Sequence, residues 1–265
     1  MFSCRKAAPE SLPPHICPCV TQRFPLETAQ QTTLMAPHVD HADPERIPLE
    51  ACIETLRGRL EAVSRIQGGH THYQEELRVF NEVANEQGWF LSSAPPELSF
   101  PPSDEGNEHQ VWFREAHGTF LKATWPGFFG LRVVYRPDEK SKASPIDYLE
   151  RWLLHDAFFA DQVCFLGVVP SPGGNRLIIE QPAIAGTPAT SEAQIRDFFI
   201  GNGWKPFTSD GETAFFDPKN GLAISDTHRG NLILMSDGLL APIDLRIQKL
   251  SGSLLDIVKS LTAAP

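Results

Sequence analysis

The chain has 265 residues, 41% hydrophobic and 9% aromatic, long enough to bury one or two ordinary cores. Its 33 acidic against 23 basic side chains give a net charge of −10, which argues against broad phosphate-backbone binding, so nucleic acid is not an expected partner. No apolar run reaches the roughly 18–20 residues of a membrane span, and neither a signal-peptide pattern nor an even set of cysteines is present. The chain is therefore expected to be cytoplasmic, without a disulfide framework or a membrane partner.

Residues 1–48 carry eight prolines and no sustained periodicity, so a disordered Pro-rich lead-in is expected, with Met35 a candidate true start. Cys17-Pro-Cys19 with His15 lacks a second Cys/His pair, and the reading there is an unstructured tail rather than a metal site. Helical spacing follows over 49–66 and 73–83, ended by Gly68-Gly69 and Gly88, giving a helical hairpin across 49–95 that supports or interacts. Prolines at 95, 96, 101 and 102 mark a boundary.

Beyond it, 111–113 and 119–124 read as a β-hairpin around Ala116-His117-Gly118, and 131–135 as a further strand. Residues 145–159 form a strong amphipathic helix, with Ser144 as its cap and Pro145 at its first position. Strands are expected at 163–169 and 176–179, a helix at 191–200, and turn-rich β structure over 207–216. A hairpin of 231–235 with 239–243 and a short helix at 253–261 complete the chain. The class is α+β.

The segment richest in chemistry is Asp226-Thr-His228-Arg-Gly-Asn231, followed by a hairpin that ends at Asp244. Phosphoryl transfer needs a carboxylate near the acceptor hydroxyl and oxygen ligands that hold Mg²⁺ against nucleotide phosphates. The spacing D-x-x-x-x-N followed by strand, turn, strand and a second Asp supplies both. Asp197 and Asn202 share the spacing but have no strand–Asp after them. A turn capped by Asp226 and Asn231 is the plainer alternative. Upstream, Lys122 sits in a hairpin strand and Glu150 on the next helix, the order in which a kinase arranges a phosphate-holding lysine and its orienting glutamate.

The stretches Gly106-x-Glu108-His109-x-Val111, Thr119 to Thr124, Tyr148-Leu-Glu150-Arg-Trp152-x-x-His155, Leu166-Gly167, Gln181-Pro182 with Gly186, and Asp226 through Asn231 to Asp244 carry a resemblance. Over residues 106 to about 250 the chain resembles the serine/threonine/tyrosine kinase domain found in polyvalent proteins of phages and conjugative elements. The resemblance implies a small two-lobed protein-kinase-like fold over 96–265, with a truncated C-terminal lobe and ATP and Mg²⁺ between the lobes. It implies Asp226 as base, Lys122 on the phosphates beneath the Gly106 loop, and Glu150 orienting Lys122. Asn231 and Asp244 would bind metal, and Glu180, Gln181 and Pro182 would contact adenine.

The chain departs from the kinase pattern in four places. Its phosphate-covering loop holds one glycine, Ile224 stands two residues before Asp226, Leu245-Arg246 follows Asp244, and only 21 residues come after it. His228, two after Asp226, is similar to the D-x-H-x-x-N of small-molecule kinases. The acceptor is thus a protein or a small molecule, and a pseudokinase or nucleotide-binding interaction module is the alternative to an active enzyme.

Overall fold

In the computed structural model, residues 46–67, 73–135 and 141–263 are described. The Cys17–Cys19 segment, Met35 and nearly all of the lead-in lie outside these residues. The last part of the lead-in is joined to the fold: Ile47 N donates to Phe165 O at 3.0 Å, and Arg46 pairs with Glu180 at 3.2 Å.

Helices α1 (Leu49–Gln67) and α2 (Tyr73–Glu86) precede strands β1 (Asp104–Glu105), β2 (His109–Arg114) and β3 (Thr119–Thr124). Then come α3 (Pro145–Phe159), β4 (Cys164–Val169) and β5 (Arg176–Pro182). These five strands make one antiparallel sheet in the order β1-β2-β3-β5-β4. Leu177 and Ile179 of β5 pack with Trp152, Tyr148, Phe80 and Leu56 of the helices, while Ile178 between them joins Trp112 and Leu121 on the opposite face. The period of two in β5 thus separates two cores. Each fully buried large side chain among these contributes roughly 1.5–3 kcal/mol relative to exposure. The helical hairpin shares this core with the sheet.

α3 starts where the sequence marks it. Ser144 Oγ accepts from Asp147 N, Asp147 returns a bond to Ser144 N, and Pro145 fills the first turn. Gly167 (φ 138) lies at an irregularity of β4, where the backbone of Trp89 and Leu91 crosses; an added Cβ would lie 2.6 Å from Trp89 O. Only glycine permits that approach.

The remaining elements are β6 (Thr187–Pro188), α4 (Glu192–Gly201), β7 (Lys205–Ser209), β8 (Glu212–Asp217), β9 (Leu222–Ser225), β10 (Leu232–Leu234), β11 (Leu240–Pro242), β12 (Arg246–Lys249) and α5 (Gly252–Thr262). They form a three-stranded sheet β11-β10-β6 and a four-stranded sheet β12-β9-β8-β7, both antiparallel. Phe215 and Ile224 face the core that holds α4, and Phe216 and Ala223 face the core that holds α5. The fold is α+β, with antiparallel sheets throughout.

Residues 131–135 do not form the expected strand. Their backbone groups are satisfied elsewhere: Arg132 N donates to Ser141 O, Val134 exchanges two bonds with the Gln248 amide, and Val133 O accepts from Ser209 Oγ. With a single bridge at Leu131–Lys142 and the polar groups of Val133 and Val134 met by side chains, the run makes no ladder with a neighbouring strand.

Candidate active site

β9 delivers Asp226 at its end, and the chain turns there. Asp226 holds φ 62, a left-handed conformation that Asp tolerates better than most residues. A single 3-10 turn, Arg229–Asn231, follows, capped by His228 Nδ1 accepting from Gly230 N at 3.0 Å. β10 and β11 then return the chain so that Asp244 stands beside Asn231.

Asn231 joins the two aspartates. Its Nδ2 donates to Asp226 O at 2.9 Å and to Asp244 O at 3.0 Å. Both partners are acceptors, so the amide orientation is fixed and Oδ1 points away from them. Among the described residues, Oδ1 has no hydrogen-bond partner.

Asp244 sits in a cluster of cations. Arg151 Nη2 donates to its Oδ1 at 2.7 Å, and Lys122 Nζ and His109 Nδ1 each stand 3.7 Å from Oδ2. Burial alone would raise the Asp244 carboxyl, but Lys122, His109 and Arg151 hold it well below the usual carboxylate range. Lys122, buried on β3, is pulled down by desolvation against the opposing attraction of Asp244. Its ammonium also donates to Ile243 O at 3.2 Å and lies 4.8 Å above the Trp152 ring.

Glu150 is on α3 as expected, yet it does not meet Lys122: its carboxylate accepts from Arg57 of α1 at 2.7 Å. The buried face of α3 runs through Tyr148, Arg151, Trp152 and His155, and Glu150 falls beside it. Arg151 therefore takes the place facing the cleft. It bonds Glu108 and Asp244, and its Nε donates to Leu245 O at 2.9 Å. Glu108 is buried, but Arg151, His109 and Arg246 outweigh desolvation and hold its carboxyl below the ordinary value.

Arg246 reaches from Glu108 to Asp226 Oδ2 at 3.5 Å, and His228 Nε2 stands 3.5 Å from Asp226 Oδ1. Desolvation nevertheless leaves the Asp226 carboxyl raised, with Arg246 and His228 pulling the other way. Behind Asp244, His155 Nε2 accepts from Leu245 N at 3.3 Å, so the ring proton belongs on Nδ1, which faces Asp161.

Asp226, His228, Asn231 and Asp244 line a cleft of about 380 Å³ with the 104–109 segment that carries Gly106 and Glu108. Glu180, Gln181 and Pro182 are not in its wall. The Glu180 side chain is held by Arg114 at 2.5 Å and Thr119 at 2.8 Å, and Gln181 donates to Asp161 at 3.1 Å. Glu108 and His109 in the cleft wall, and Arg151 and Arg246 bonded to its carboxylates, are residues to which sequence reasoning gave no role. Only Arg151 left a helical signal: it lies three after Tyr148 and four before His155, on the face the apolar residues define.

Among the described residues, no group of three or more His, Cys, Asp or Glu side chains could hold a metal by itself. A nucleotide-borne Mg²⁺ asks less, one or two protein oxygens beside phosphates and waters. The free Asn231 Oδ1 and the Asp244 carboxylate, whose side chain is 26% exposed, fit that smaller demand.

An antiparallel α+β chain that gathers a buried lysine, two aspartates and an asparagine under a glycine-bearing segment has the parts of a protein-kinase-like phosphotransferase. The model of the serine/threonine/tyrosine kinase family found in polyvalent proteins matches residues 73–250, well over half of the chain, and the chain belongs to that family. The match begins at the first residue of α2, further toward the N-terminus than the motifs read from the sequence. No curated protein and no solved structure matches the chain.

Proposed function

We propose that this protein transfers the γ-phosphoryl of ATP, with Mg²⁺, to a hydroxyl of a protein or small-molecule acceptor. In this reading residues 96–265 form a small two-lobed catalytic unit with a reduced second lobe, supported by the 49–95 hairpin. The observation that carries it is the Asn231 amide, which ties Asp226 O to Asp244 O and leaves Oδ1 free at the cleft. Asp226 receives the acceptor proton, and Lys122 offsets phosphate charge. The acceptor oxygen bonds to the γ-phosphorus as the bond to the β–γ bridging oxygen breaks and ADP leaves. Asn231 and Asp244 would hold the Mg²⁺, which supplies charge neutralisation on the phosphates. The Glu180 and Gln181 side chains are engaged in the fold, so adenine contacts at 180–182 fall to the backbone.

A second reading has its own observation. Arg151 occupies Asp244 Oδ1, and Arg57 occupies Glu150. Both favour a pseudokinase that binds nucleotide without turnover. Melting with ATP, with and without Mg²⁺, followed by radiolabelled transfer to self and to generic acceptors, separates the two. Mg²⁺-dependent stabilisation with transfer supports the enzyme; stabilisation without transfer supports the pseudokinase; neither overturns both.

A further inference from the structure

A second pocket, of about 300 Å³, also borders Asp226. It shares Asp226 and His228 with the nucleotide cleft and is otherwise lined by Glu192, Glu212, Thr213 and Thr227. Three elements build it: Glu192 opens α4, Glu212 and Thr213 start β8, and Thr227 follows Asp226. Among the described residues, neither Glu192 nor Glu212 has an ion-pair or side-chain hydrogen-bond partner. Three carboxylates therefore line one pocket, and of the three Arg246 and His228 stand against Asp226.

The other observation is Thr227. It is 8% exposed, it borders this pocket, and its hydroxyl has no hydrogen-bond partner among the described residues. The residue is buried but its oxygen is not sealed off, so a ligand in the pocket would bond it in place of water.

We propose that this pocket is the acceptor subsite, and that it takes a hydroxyl carried beside a positive charge. The cation would lie between Glu192 and Glu212, where charge-assisted hydrogen bonds are stronger than neutral ones. The hydroxyl would bond Thr227 and stand at Asp226. The inference rests on the phosphotransferase reading for the role of Asp226. In the transfer, the acceptor oxygen gives its electron pair to the γ-phosphorus, its proton passes to the Asp226 carboxylate, and ADP leaves with the electrons of the broken P–O bond. A basic peptide and an amino sugar both carry this chemistry.

Binding is measured calorimetrically on the full chain without nucleotide. The probes are a serine peptide flanked by arginines, the same peptide flanked by glutamates, and an amino sugar. The expected result is binding of a cationic probe, with the peptide and the amino sugar distinguishing the source, and no binding of the glutamate peptide. Glu192→Gln with Glu212→Gln should weaken that binding by about tenfold or more, the loss of charge-assisted contacts. Glu212→Gln alone, at an exposed strand position, is the fallback should the double variant fold poorly. Thr227→Val should weaken it further.

Affinity unchanged in these variants, equal binding of the glutamate peptide, or failure of both cationic probes to bind overturns the proposal. Transfer from Mg·ATP to the bound probe is scored separately. Glutamate-dependent binding without any transfer removes the phosphotransferase reading and leaves the cation pocket standing.

Discussion

The guanidinium of Arg151 donates through Nη2 to Oδ1 of Asp244 at 2.7 Å, while its Nη1 holds the buried carboxylate of Glu108. One α3 residue thus links the segment over the cleft to the loop that would carry metal. Because both carboxylates are compensated by the same cation, the cleft is held as a unit. Arg246 and Lys122 complete the balance at either end.

Removing that link should cost stability before it costs chemistry. Arg151→Met leaves Glu108 and Asp244 each short of a partner, and the loss should fall near the lower end of the about 3–5 kcal/mol seen when a buried pair is broken. Arg151→Lys should not restore it, since an ammonium cannot bond both carboxylates and Leu245 O with fork geometry. Urea denaturation measures both; a loss below about 1 kcal/mol would mean the cluster tolerates the vacancy.

Glu150 and Lys122 should behave differently from each other. Glu150 bonds an exposed arginine, so Glu150→Gln should change stability by no more than about 1 kcal/mol. Unchanged turnover in that variant would take Glu150 out of the mechanism. Lys122→Met should weaken ATP affinity by about tenfold or more, the worth of a charge-assisted phosphate contact. Titration of a fluorescent ATP analogue checks it.

Asp226 gives a pH prediction with a definite sign. Burial raises its carboxyl, so the folded chain holds this proton more tightly than the unfolded one. The associated stabilisation is fully present below the unfolded value and is lost as pH rises through the folded one. At pH 7 the ionised carboxylate therefore costs stability. Asp226→Asn should melt higher than wild type at pH 7, with the advantage vanishing near pH 4. In the same variant, transfer should fall by about 10²–10⁴-fold. A lower melting temperature at pH 7 would mean that Arg246 and His228 outweigh desolvation.

Gly106 separates a fold requirement from a ligand requirement. Its φ is not left-handed, and a Cβ there would meet nothing nearer than His109 O at 3.8 Å. Gly106→Ala should therefore melt within about 1 kcal/mol of wild type. Loss of ATP affinity in a variant that stable would locate the phosphates beneath this segment; undiminished affinity would place them elsewhere.

Much of this molecule was set by local pattern. Ser144-Pro145 fixes the start of α3 because a cap and a pre-formed φ act within one turn. Alternation in β5 and the spacing of Asp226 and Asn231 are equally local. Strands β9 and β12 were not read from the sequence. Both are only four residues long, β12 has a single apolar residue, and long-range pairing makes them strands: β9 lies between β8 and β12, with Ile224 opposite Ile247. Residues 131–135 failed in the opposite sense, their backbone bonds being taken by Gln248 and Ser209 from far along the chain. The partners of the charged residues belong to the same category. Glu150 and Arg151 are adjacent in sequence, and the roughly 100° between successive helical side chains turns one to α1 and the other to the cleft. Which of the two meets Asp244 depends on where α1 packs, and long-range packing alone decides that.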